Sequence, residues 1–125
     1  MTAIERIAAS LESMPGASGG SLPSARGVTL YKVMGKMFAI LSARGEAYLI
    51  LKCDPHLAEI LREQYVGIGH RSHLDRRFWI AVTLEADVPV EEIERLAAGS
   101  YDLICAGLTK KQKAALAVQA IERIT

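Results

Sequence analysis

The stretch from Val28 to Lys52 leaves few folds open. Val28–Val33 is rich in β-branched and aromatic residues, Met34-Gly35 interrupts it, and Lys36–Ser42 resumes the same character. Two such runs separated by two residues read as a β-hairpin, because the tight turns that match strand twist need positive φ, which glycine adopts at little cost. Ala43–Glu46, with Gly45, turns the chain again into Ala47–Lys52, so a three-strand antiparallel meander is predicted.

Helices are expected on both sides of this meander. Thr2 and Glu5 have the spacing of a capping box, and Ile4, Ile7, Ala8, Leu11 and Met14 recur at helical intervals until Pro15-Gly16 stops them. Ala17–Gly27 is small and polar and reads as a flexible connection. Asp54-Pro55 is an N-cap followed by proline at the first helical position, opening a helix that ends near Gly67. Phe78–Leu84 is a further strand, and the polar stretch Gly69–Arg77 before it reads as a paired edge strand or an ordered loop. A helix follows Pro89 and closes at Gly107, and Thr109 with Gln112 caps a last helix carrying Leu116, Ala120, Ile121 and Ile124. The pattern is an α+β fold, an antiparallel β-meander sheet packed with helices.

A chain of 125 residues, half of them apolar, matches one domain (1–125) with one core and no need of a covalent staple. Cys53 and Cys105 lie far apart without a C-x-x-C pair and are expected as reduced thiols. The N-terminus is amphipathic, unlike a secretion signal, and apolar runs such as Met37–Leu41 and Ala47–Leu51 stop at five residues. Spanning a bilayer takes about 20. A cytoplasmic protein without membrane association is expected, more readily a monomer than an obligate oligomer.

The net charge of +1 excludes a globally basic nucleic-acid binder, but the charge is unevenly placed. Residues 28–54 carry four cations against two anions, 70–77 three against one and 109–125 four against one, whereas 85–99 carry five anions against one cation. Lys110, Lys111 and Lys113 occupy a first helical turn, where the helix dipole disfavours cations, so their position is no stability device. Lys32 and Lys36 flank the Met34-Gly35 turn, and Arg76-Arg77 adjoin Trp79, so cations stand at hairpin tips beside aromatic groups that suit a nucleic-acid backbone. Lysines on sheet edges also deter aggregation, an equally direct explanation.

Enzymatic signatures are missing. His56, His70 and His73 have no metal or triad spacing, and Gly16, Gly19 and Gly20 lack the strand and helix that frame a phosphate loop. Glu91, Glu92 and Glu94 fit a dipole-compensated helix start. A non-enzymatic protein with no metal and no cofactor is expected. Phe38, Trp79 and Tyr101 are expected in the core.

The run Tyr31-Lys32-Val33-Met34-Gly35-Lys36-Met37-Phe38-Ala39 resembles the YKVGGKMFA signature of the MmcQ/YjbR family. Leu51-Lys52-Cys53-Asp54-Pro55 is similar to the family's LKCDP step, His73-x-x-Arg76-x-x-Trp79 to its H-x-N-K-x-x-W, Ser100-Tyr101-Asp102-Leu103 to its SYDLV and Leu108-Thr109-Lys110-Lys111 to its L-x-K-K. Met14-Pro15-Gly16 resembles the Leu-Pro-Gly that ends the family's first helix. The resemblance implies a frataxin-like (CyaY-like) arrangement and DNA binding through double-wing β-hairpins. Carried over by position, the DNA contacts are Lys32, Lys36, Lys52, His73 and Arg76. Arg77, Lys110 and Lys111 join them from charge placement. Asp75 departs from the family's Asn, and Ser18-Gly19-Gly20 replaces its acidic residue after the first helix. Two alternatives stay open: an interaction module for a protein or small anionic ligand, and a frataxin-like iron binder using Glu85–Glu94.

Overall fold

The computed structural model describes residues 2–22, 24–71 and 73–124. Thr2 caps α1 (Ala3–Ser13) by accepting the Glu5 N–H at 3.1 Å while its hydroxyl donates to the Glu5 carboxylate at 3.0 Å. Then come β1 (Ala17–Leu22), β2 (Ala25–Val33), β3 (Lys36–Ser42), β4 (Tyr48–Lys52), α2 (Pro55–Gln64), β5 (Ile68–Gly69), β6 (Trp79–Thr83), α3 (Val90–Ala106) and α4 (Lys110–Ile124). The strands form one antiparallel sheet in the order β1-β2-β3-β4-β6-β5. The α+β class and the central meander stand as expected. The hairpin turn has Met34 at φ 50° and Gly35 at φ 80°, the two positive values that a twist-matched two-residue turn requires.

One segment differs from expectation. Ala17–Gly27 is no flexible connection: β1 pairs along β2 from Ala17↔Val33 to Leu22↔Ala25, and β2 begins three residues early. Glycine is a poor strand former alone, but at Gly19 the Tyr31 ring occupies the space a side chain would take, with its edge 2.8 Å from where a Cβ would sit. A packing partner on the neighbouring strand outweighs local propensity. Gly69–Arg77 takes the loop reading: among its described residues only Gly69 pairs.

The helices gather on one face of the sheet. Strand partners share a face, and Tyr31, Ala39, Leu41, Leu49, Leu51, Ile80 and Val82 meet Ile7 and Leu11 of α1, Ala58 and Leu61 of α2, and Ile93, Leu96 and Ala97 of α3 in a single core. Phe38 joins this face through a bulge in the β2–β3 pairing, which puts it and Ala39 on the same side. Its ring meets Tyr101 edge to face at 5.4 Å. Ser100, wholly buried, donates to the Phe38 carbonyl at 2.6 Å and accepts the Lys52 N–H at 2.9 Å, so one hydroxyl locks α3 to β3 and β4.

The opposite face carries Leu30, Ile40, Ile50 and Ala81 in one row across β2, β3, β4 and β6. Trp79 belongs here, not in the core: its strand partner is Lys52, and it is only half-buried. This face is bounded by loop 70–77, whose Arg71 guanidinium lies 4.4 Å from the centre of the Tyr48 ring.

Candidate nucleic-acid interface

Every charged residue on a strand is a cation: Arg26, Lys32, Lys36 and Lys52. The register separates them. Lys32 pairs with Met37 on the open face and is exposed, whereas Val33 and Lys36 pair on the helix side. Lys36 extends its ammonium to the Gly107 carbonyl at 3.2 Å, at the C-terminus of α3 where the helix dipole favours a cation. The two lysines that flank the turn therefore serve opposite faces. Alternation dictates this, since residues three apart across a two-residue turn close the hairpin while their neighbours point the other way. Lys52, at the end of β4, pairs with Trp79 on the open face.

The second group of cations depends on Arg62, which the sequence reading missed. Its guanidinium reaches from the last turn of α2 to the carbonyls of Arg76 at 2.7 Å, Trp79 at 2.9 Å and Gly69 at 3.5 Å, so it ties loop 70–77 at both ends. No local pattern announces such a link to a carbonyl 17 residues on. Inside the loop His70 shares a hydrogen bond with the Leu74 carbonyl at 2.6 Å, and the Asp75 carbonyl accepts the N–H groups of Phe78 and Trp79. The Asp75 carboxylate accepts the Arg77 N–H at 2.9 Å and its guanidinium at 2.8 and 3.2 Å. These bonds hold the Asp75 carboxyl well below the usual carboxylate range, at about 2. It is charged at any pH near neutrality, and Arg77 is engaged with it and with the Phe78 ring.

Arg76 and His73 are exposed, and Arg76 makes no ion pair among the described residues. Arg76 lines a shallow hollow of about 340 Å³ with Pro55, Arg62 and Arg77 and the carboxylates of Glu59 and Glu63. Lys110 and Lys111 are exposed on α4, beyond Gly107, which puts them at the Lys36 end of α3. The predicted set thus divides into Lys32 and Lys52 on the open face, His73, Arg76 and Arg77 in the loop, and Lys36, Lys110 and Lys111 at the end of α3.

The acidic block is used by the fold. Glu94 pairs with Arg6 of α1 at 2.8 Å and Glu91 approaches it at 3.7 Å, while Glu92 pairs with Arg95. Asp87 accepts the N–H groups of Val66 and Gly67 at 2.8 and 2.7 Å, which lowers its pKa. No three of the described His, Cys, Asp and Glu side chains come together as a metal site. No helix among the described residues is long and apolar enough to cross a membrane.

The YjbR family model matches residues 12–103. The chain belongs to the YjbR family. It is 32% identical over 92 residues to the uncharacterized protein YjbR of Escherichia coli K12, covering 73% of this chain and 77% of that one. It is 27% identical over 85 residues to the uncharacterized protein YbdF of Escherichia coli O157:H7, covering 67% and 70%. Among solved structures, protein DR2400 of Deinococcus radiodurans superposes with a TM-score of 0.81 at 28% identity, over 91% of this chain and 87% of that one. A Pseudomonas syringae protein superposes at 0.69 with 20% identity over 82% and 98%, a likeness of fold alone. The matched segment holds Lys32, Lys36, Lys52, His73, Arg76 and Arg77, as well as Ser100. It ends before α4, so Lys110 and Lys111 lie outside the part of the chain that carries the YjbR likeness.

Proposed function

We propose that this YjbR-family protein binds duplex DNA through phosphate contacts on the open face of its sheet, with little base readout. The observation that carries the reading is the segregation of charge. Lys32 and Lys52 stand on the open face, beside Met37 and Trp79, and Arg71 and Arg76 on its bordering loop. Glu91, Glu92 and Glu94 of α3 are paired with Arg6 of α1 and with Arg95 on the other side of the sheet. A duplex backbone needs spaced cations; among the described residues Lys32, Lys52 and Arg76 make no ion pair, while Arg71 is shared with Glu46 at 3.6 Å. This reading takes the β2–β3 hairpin and loop 70–77 as the two wings that the resemblance implies.

Three or four phosphate contacts give a slope of log K against log salt of about −2.7 to −3.6. Binding of a labelled duplex, read by fluorescence anisotropy, is expected to weaken about 40- to 150-fold between 50 and 200 mM salt. Binding insensitive to salt would move the assignment to a protein partner held by apolar surface. That second reading has a candidate place in the cleft of about 310 Å³ between α2 and α3, lined by Cys53, Leu57, Leu96 and Leu103.

Asp75 sets a further test. Replacing it by Asn removes the charge that engages Arg77 but keeps an oxygen able to accept the Arg77 N–H, so the loop retains its shape. The D75N variant is expected to steepen the salt slope by about 0.9 unit, one phosphate contact. An unchanged slope would show that Arg77 lies away from the DNA.

A further inference from the structure

The two margins of the sheet are unequal. β5 is two residues long, while β1 runs for six, Ala17–Leu22, with no charged side chain and none of the lysines or prolines that guard exposed edges. Its outward hydrogen-bonding groups follow from the hairpin. Val33 and Lys36 close the two-residue turn and bond to each other, so along β2 Lys32 and Leu30 direct their backbone groups toward β1. Their partners Ser18 and Gly20 are thereby paired, and Gly19 and Ser21 present N–H and C=O away from the sheet. The Ala17 N–H, turned to the Met14 carbonyl at 3.0 Å, fits the same alternation.

We infer that β1 is a self-association edge, taking a second copy of this chain as an antiparallel strand across a two-fold axis. An antiparallel two-fold matches the donors and acceptors of Gly19 and Ser21 to those of their own copies, and an uncharged strand brings no like charges together. Small side chains at Ser18, Gly19 and Gly20 let the second backbone approach. Strand pairing alone buries too little for a stable dimer, which needs about 800 Å² per partner. Apolar area is available on α4, which reaches the same margin: Leu116 and Gln119 abut Gly16, just before β1, and the outer side of the helix exposes Val118 (54%) and Ile121 (63%). The inference is independent of DNA binding, though pairing at β1 would join two open faces into one sheet surface.

Sedimentation equilibrium of the full chain between about 10 and 500 µM tests it, because a weak dimer is visible only by mass action. The wild-type mass is expected to rise from 13.6 kDa toward twice that value. Ser21→Pro removes an outward N–H without touching the β1–β2 ladder and is expected to stay monomeric throughout. Val118→Lys is expected to raise the dimer Kd about tenfold or more. Thermal melts by circular dichroism confirm that both variants fold. A wild type that remains monomeric at the highest concentration overturns the inference, and so does an S21P variant that pairs as tightly as the wild type.

Discussion

The S100A variant is expected to unfold with about 2–5 kcal/mol less free energy than the wild type, measured by urea denaturation with an unchanged m-value. Ser100 is fully buried, and its hydroxyl is the partner of two backbone groups from different strands, the Phe38 carbonyl and the Lys52 N–H. Alanine fits the space but leaves a buried acceptor and a part-buried donor unmet, and each costs about 1–3 kcal/mol, the donor at the low end. The bulge at Phe38 makes the loss harder to repair, because the strand there is already out of step with β2 and no ladder neighbour can take over its carbonyl. Loss of less than about 1 kcal/mol would mean that the lock between α3 and the sheet is formed by apolar packing alone. The contact also bears on the interface, since the same hydroxyl holds the residue that carries the Lys52 side chain.

Much of this fold was legible because its signals are local. The Met34-Gly35 turn, the caps at Thr2, Asp54 and Thr109, and the helical spacing in α1 and α3 each lie within a few residues and were read as they occur. What was not legible depends on residues distant in sequence. β1 is a strand because Tyr31 covers Gly19 and β2 offers a free ladder, and neither fact is present in the string Ala17–Leu22. The same holds for the candidate site. Sequence spacing placed Lys32 and Lys36 together at one hairpin tip, but face is set by pairing, and the pairing sends them apart. The aromatic character of Trp79 suggests the core, yet its partner Lys52 fixes it on the open face. Arg62 escaped notice because its three carbonyl partners belong to a loop with no regular structure of its own. Asp75 was noticed as a departure from the family pattern, and the structure gives that departure a mechanism in the engagement of Arg77.

The division of the lysines by face leads to the most discriminating experiment on DNA binding. A double K32A/K52A variant is expected to flatten the salt slope by about 1.8 units and to weaken binding more than tenfold at 50 mM salt, because both cations lie on the proposed contact surface. A K32A/K36A pair, which neighbourhood in sequence makes the natural choice, is expected to flatten it by only about 0.9 unit. Lys36 contributes elsewhere: its ammonium meets the Gly107 carbonyl at the end of α3, so K36A alone should leave the slope intact and lower stability by about 0.3–1 kcal/mol. Equal flattening by K32A and K36A would place the duplex astride the hairpin tip, touching both faces of the sheet, and the open face would lose its role as the binding surface. A flat response to all three variants, with wild-type binding still salt-dependent, would transfer the contact to loop 70–77 or to the lysines of α4.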